Sequence, residues 1–203
     1  FGVPKDLMYL IDRCHQEGIG VLIDWVLGHI NKDSFGLHKF DGTYLFEFED
    51  EFRRENTTWG TANIDFGKGI SRSFFLSALD FWIKYFHVDG FRIDAVSNLI
   101  YHLGNQNNGE NHDAISFIKQ ISNHLSSIDE RIIFSAEDST NYNKVTHKPE
   151  HGGIGFDYKW NMGFMNDVLS YFKLDPIYRK HNHHKITFGL VYAFNERFIL
   201  PFS

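Results

Sequence analysis

Val21-Leu22-Ile23-Asp24, Phe91-Arg92-Ile93-Asp94 and Ile132-Ile133-Phe134-Ser135-Ala136-Glu137 stand in this order along the chain, and each is an apolar run ending on a carboxylate. Strands of a parallel sheet covered on both faces read as continuous runs of this kind, and the groups that do chemistry sit where the strand leaves the core. Asp24, Asp94 and Glu137 are therefore expected to converge at one rim of a barrel-like sheet. Arg92 and Asp94 are two residues apart, so strand alternation points both to the same side. A carboxylate that must stay ionised as a nucleophile gains from a fixed positive neighbour, whereas a proton donor needs the opposite perturbation. This makes Asp94 the expected nucleophile. Glu137, at the end of its apolar run, is the expected acid, with burial retaining its proton.

Around these strands the pattern alternates helix and strand. Pro4, the apolar spacing of Leu7, Leu10, Ile11 and Cys14, and Gly18 describe an amphipathic first helix, followed by a strand at about 19–26. Residues 30–69 read as a long polar, glycine-rich loop region, longer than an ordinary connection and expected to lie over the active-site face. Ser73 to Phe86 is apolar almost all round, which predicts a helix heavily covered by its neighbours. A strand at about 90–95, a mobile Gly/Asn tract at 104–111 and a helix at about 112–127 follow, then the strand carrying Glu137 from about 131. Beyond a polar stretch, a short strand is expected near 154–159, helices at about 161–172 and 186–194, and a last strand from about 198. No repeat, linker or second-domain boundary is visible.

With 42% hydrophobic and 17% aromatic residues, the chain has the composition of a globular domain rich in ring side chains. Any one of its 21 Phe residues is best read as core, while Trp25, beside Asp24, and Trp160 are candidate stacking platforms for a ligand. A formal charge of −6 argues against nucleic-acid and anionic-membrane partners, which want basic patches. Cys14, the single cysteine, lies on the apolar stripe of the first helix and is expected to be a buried small hydrophobe. No apolar run approaches the roughly 18 residues of a membrane span. His181-Asn182-His183-His184 invites a metal reading, but adjacent residues cannot all face one ion and no third-ligand spacing accompanies them, so no metal is expected. The chain opens on Phe1 and closes on an apolar run through Ser203, which reads as a fragment.

Three ordered motifs resemble those of the α-amylase superfamily of retaining glycosidases and transglycosidases: Asp24-Trp25-Val26-Leu27-Gly28-His29, Asp89-Gly90-Phe91-Arg92-Ile93-Asp94-Ala95-Val96 and Ala136-Glu137-Asp138-Ser139-Thr140. Four further stretches are similar to segments of the branching enzymes within it: Phe40-Asp41-Gly42-Thr43, Trp59-Gly60-Thr61, Phe156-Asp157-Tyr158-Lys159-Trp160-Asn161-Met162-Gly163 and Asp175-Pro176-Ile177-Tyr178-Arg179. Leu27 departs from the pattern, since branching enzymes usually carry Pro there. The resemblance implies an α/β fold, a partial (β/α)8 barrel comprising approximately its third to seventh strands, with residues 1–203 the central part of one catalytic domain. It implies Asp94 as nucleophile, Glu137 as acid/base, and Asp24, His29 and Arg92 as substrate-binding and ordering residues, with Asp138 in support. It also implies a third carboxylate and a His after the last strand, and a Tyr upstream, all outside this chain.

The activity so implied is cleavage of an α-1,4 bond in a linear glucan through a covalent glycosyl-enzyme, with transfer to a 6-hydroxyl, in the cytoplasm and without cofactor. Two alternatives remain open: a hydrolase of the same superfamily, in which water takes the intermediate, and a glucan-binding chain without activity. A strand-end Asp can also be a structural cap, a loop Glu can simply start the next turn, and His29 can be a capping or solvated residue. Retaining chemistry needs two carboxyl groups roughly 5–5.5 Å apart, which neighbouring strand ends about 4.8 Å apart can deliver.

Overall fold

The computed structural model describes residues 2–202. Helix α1 (Pro4–Gln16) opens on Pro4, with Asp6 accepting the Val3 N–H at 2.9 Å, and leads to strand β1 (Leu22–Trp25). An insertion follows: β2 (His29–Ile30), the single-turn α2 (Glu51–Arg54), β3 (Glu55–Asn56) and β4 (Thr61–Asn63). Next come α3 (Gly69–Phe86), β5 (Gly90–Ile93), the short α4 (Ser97–Ile100), α5 (His112–Ile128) and β6 (Ile133–Ala136). The chain then runs through β7 (Tyr158–Trp160), α6 (Met162–Phe172), α7 (Pro176–Arg179), α8 (His184–Thr187) and β8 (Phe198–Ile199).

Five strands form one parallel sheet in the order β1-β5-β6-β7-β8, with helices between them. This is an open part of an α/β barrel, as the apolar strand runs imply. Asp24 pairs with Arg92 and Ile93 with Ala136, so the first residues beyond β5 and β6, Asp94 and Glu137, leave the sheet side by side. Phe91, Ile93 and Phe134 are buried beneath them, and Phe134 stacks on Phe156 at 4.3 Å between ring centres. Gly90 is required by the close approach of β6, because a Cβ there would fall 2.2 Å from the Ile133 carbonyl oxygen.

The structure differs from the sequence expectations at several places. Residues 30–69 hold a three-stranded antiparallel sheet, order β2-β4-β3, and not a plain loop. The 104–111 tract is folded into two 3₁₀ turns, His102–Gly104 and Gln106–Asn108, closed by a bridge between Tyr101 and Glu110. Helix α3 starts at Gly69 and is covered on one face only; Phe75, Leu79 and Phe86 are buried, whereas Phe74, Phe81 and Tyr85 are exposed. Trp25 packs on the core against Phe75 and Phe91, as alternation with the outward Asp24 requires, so it is no sugar platform. Cys14 is half-buried. The stretch expected to be helical at 186–194 is α8 followed by a 3₁₀ turn, Phe188–Val191. Ser203 lies outside the described residues. Among the described residues no helix is long and apolar enough to cross a membrane.

Candidate active site

One guanidinium organises the strand ends. Arg92 projects from β5, and its Nη1 meets Asp24 Oδ1 from β1 at 2.5 Å and Asp94 Oδ1 at 2.9 Å, while Nη2 meets Glu137 Oε2 at 2.9 Å. The face of Trp160, at the end of β7, lies 4.7 Å from the Arg92 Cζ and completes the cage. Burial works against the Arg92 charge, but the hydrogen bond to Asp24 and the charges of Glu137, Asp24 and Asp94 together outweigh it and raise the pKa. The cation is therefore permanent, and it fixes three carboxylates that would otherwise repel one another.

The three carboxylates are not equivalent. The Asp24 side chain is 66% exposed against 30% for Asp94 and 23% for Glu137, so the inner pair is the one a bound substrate would cover. Ala95, directly after Asp94, takes a left-handed backbone conformation (φ 46°), and its N–H donates to Glu137 Oε2 at 3.0 Å. A non-glycine residue in that region costs about 1–2 kcal/mol, and here the turn aims a backbone donor at the second carboxylate. Glu137 thus stands among polar partners and not in the apolar surroundings expected of it, because β6 ends at Ala136 and Glu137 is already past the buried layer.

His29, on β2, sits beside this group with its ring 4.8 Å from that of Trp59. Burial pushes the His29 pKa below the ordinary imidazole value, and the charge of Asp94 opposes this only in part. The ring is neutral near pH 7 and free to donate to or accept from a hydroxyl. Its Nδ1 is buried without a protein partner.

Trp59 is the residue that reasoning from the sequence passed over. It belongs to the turn between β3 and β4, and with Asp94, Ala95, Glu137, Ser139 and Met162 it lines a cleft of about 370 Å³. Buried amides hold the turn: Trp59 N–H donates to Asn56 Oδ1, Asn56 Nδ2 to Asn63 Oδ1, and Asn63 pairs with His29 across the sheet. The signal available in the sequence was its place in Trp59-Gly60-Thr61, a stretch quoted only for its resemblance.

Asp138 is not part of the cleft chemistry. It is buried, paired with Lys159 at 2.8 Å, and accepts from the Thr140 N–H and hydroxyl, which pins the chain leaving Glu137. In the histidine-rich stretch, His184 begins α8; among the described residues no group of three or more His, Cys, Asp or Glu side chains is arranged to hold a metal ion.

Over all 203 residues the chain is 51% identical to the 1,4-alpha-glucan branching enzyme GlgB of Geobacillus stearothermophilus and covers 32% of it. It is 50% identical over the same length to the GlgB proteins of Bacillus cereus (strain G9842) and Bacillus caldolyticus, covering 32% and 30% of them. The chain thus spans about a third of the length of the curated relatives it matches. Among solved structures it resembles the alpha-amylase of Geobacillus thermoleovorans in complex with acarbose (TM-score 0.59, 20% identity, 83% of this chain, 36% of that one). It also resembles the maltogenic alpha-amylase AmyB of Thermotoga neapolitana (TM-score 0.64, 20% identity, 95% and 38%). No family model matches. By fold the chain resembles part of the barrel of these alpha-amylases. In sequence it is similar, at about half of all positions and along its whole length, to bacterial 1,4-alpha-glucan branching enzymes.

Proposed function

We propose that this chain carries the nucleophile and the acid/base of a glucan branching enzyme working on linear α-1,4-glucan in the cytoplasm. The observation that carries the proposal is the single Arg92 guanidinium bound at once to Asp24, Asp94 and Glu137 on adjacent strand ends. Similarity along the whole of this chain to a third of the branching enzymes supports the substrate and the outcome.

In the first step an Asp94 carboxylate oxygen attacks the anomeric carbon, the bond to the glycosidic oxygen breaks, and Glu137 gives its proton to that oxygen. Arg92 holds Asp94 in place through its Nη1. Glu137 then takes the proton of an incoming 6-hydroxyl as its oxygen bonds to the anomeric carbon and Asp94 leaves. Neutral His29 and Asp24 hold sugar hydroxyls and the guanidinium on the donor side. The donor and acceptor are neutral, so the net charge of the chain raises no barrier to them.

The test is to incubate a full-length enzyme carrying this chain with amylose and follow α-1,6 linkages by proton NMR alongside new reducing ends. Branching predicts that α-1,6 linkages rise while reducing ends stay nearly constant, because each anomeric carbon released by a cut is consumed in the new bond. Reducing ends accumulating much faster would mean a hydrolase, in which water takes the intermediate.

A further inference from the structure

Glu137 is the first residue past β6 and Trp160 the last of β7, and they meet Arg92 from two neighbouring strand ends. The ladder between those strands stops one residue short of both, with Ser135 opposite Tyr158 and Ala136 opposite Lys159. Toward β5 the Glu137 backbone is held directly: its N–H donates to the Ile93 carbonyl at 2.9 Å, and its carbonyl accepts the Val96 N–H at 2.8 Å. Toward β7 the hold is a side chain. Lys159 Nζ crosses to Asp138 Oδ2 at 2.8 Å and to the Thr140 carbonyl at 2.7 Å.

Lys159 and Trp160 alternate across β7, so this ion pair lies behind the face that carries Arg92 and Trp160. It is enclosed, with the Asp138 side chain 0% and the Lys159 side chain 7% exposed. A buried ion pair adds little to stability over a matched apolar pair, because desolvation cancels most of its attraction. What it adds is direction. The ammonium bonds two named acceptors on the segment leaving Glu137, whereas dispersion would let that segment slide. Glu137 and Asp138 are consecutive, so whatever fixes Asp138 limits where the Glu137 carboxyl can stand.

We propose that Lys159 is a positioning residue for proton transfer, holding Glu137 in register with Arg92 by bonding Asp138 from behind the sheet. This rests on the acid/base role given to Glu137 above. The test uses a full-length enzyme carrying this chain, its thermal midpoint, and kcat/KM on two donors: amylose, followed by loss of iodine colour, and maltoheptaosyl fluoride, followed by fluoride release. Amylose needs a proton on its leaving oxygen, whereas fluoride departs with little acid assistance. Lys159→Met leaves Asp138 buried without its cation and should lower both midpoint and activity. The double variant Lys159→Met/Asp138→Asn removes both charges, so its midpoint should return close to that of the parent. Its kcat/KM on amylose should nevertheless stay about tenfold or more below the parent, with less than about a threefold loss on the fluoride, as a displaced proton donor requires. Recovery of amylose cleavage along with the midpoint overturns the proposal, since the pair is then structural alone. Equal losses on the two donors overturn it as well, since proton transfer to the leaving group is then not what moved. If the midpoint of the double variant stays low, the ratio of the two losses still decides. A parent enzyme that cleaves neither donor overturns the proposed function instead.

Discussion

The parallel sheet and the antiparallel insertion between β1 and α3 both reach the candidate cleft, yet they hold their contributions in place by opposite means. The sheet rests on apolar burial: Phe91, Ile93 and Phe134 lie under the carboxylates, and backbone register alone sets Asp94 beside Glu137. The insertion rests on buried polar groups. Glu47 accepts the Lys39 and Phe46 N–H groups, Arg54 donates to the Phe48 and Glu49 carbonyls, and the Asn56 and Asn63 amides carry Trp59. What the sheet places it places by dispersion and pleat; what the insertion places it places one hydrogen bond at a time. The two regions should therefore fail differently when disturbed.

The largest effect should come from the one change that touches neither support. Asp94→Asn keeps the side-chain shape and the contact to Arg92 but removes the proposed nucleophile, so glycosyl-enzyme formation should fall by more than about three orders of magnitude, with little change in thermal midpoint. Trapping a covalent glycosyl adduct on Glu137 would reverse the two roles. Next in size is the sheet. Phe134→Ala removes the ring stacked on Phe156 and should cost about 3–5 kcal/mol, read as a fall in denaturant midpoint at constant m-value. A loss below about 1 kcal/mol would mean the sheet is not held by packing. The insertion should respond more gently: Asn63→Ala leaves the Arg53 carbonyl and the Asn56 amide without their partner, at about 1–3 kcal/mol. Unlike Phe134→Ala, it should raise KM by freeing Trp59 even where the fold is fully formed. Equal loss of kcat and no change in KM would break the contrast between the two regions.

The same contrast explains what could be read in the sequence. Apolar runs and helical spacing made β1, β5, β6, α1 and α5 legible within a residue or three, because burial against a sheet leaves a periodic mark. Residues 30–69 carry no such mark. Strands of two or three residues, held by Glu47, Arg54, Asn56 and Asn63, look like polar loop, since a buried amide and a solvated one are spelled alike. The carboxylates and Arg92 were legible because each ends or interrupts an apolar run. Glu137's polar surroundings were not, because they come from Arg92 and the Ala95 turn, contacts between separate strand ends. Trp25 and Trp59 were misjudged for opposite reasons. Proximity to Asp24 suggested exposure for Trp25 where period-two alternation gives burial, and distance from the three carboxylate-bearing motifs hid Trp59.

The smallest effect is the most direct probe of where the two regions touch. Trp59, from the insertion, covers His29, and burial holds the His29 pKa below its ordinary value, with Asp94 pulling only partly the other way. In the unfolded chain this imidazole takes up its proton near pH 6.5; in the folded protein it does so only at lower pH. Between those two values the unfolded state binds more protons, so stability rises with pH. The contribution of a neutral His29 is thus fully present above about pH 6.5 and is lost as pH falls through the folded value. Trp59→Ala lets water reach the ring and should move the titration back toward 6.5, flattening the acid limb of the stability profile. The measurement is the His29 Cε1–H shift against pH, assigned by its disappearance in His29→Gln. A titration that does not move when Trp59 is removed would show that other groups bury His29, and Trp59 would then bound the cleft without tuning this ring.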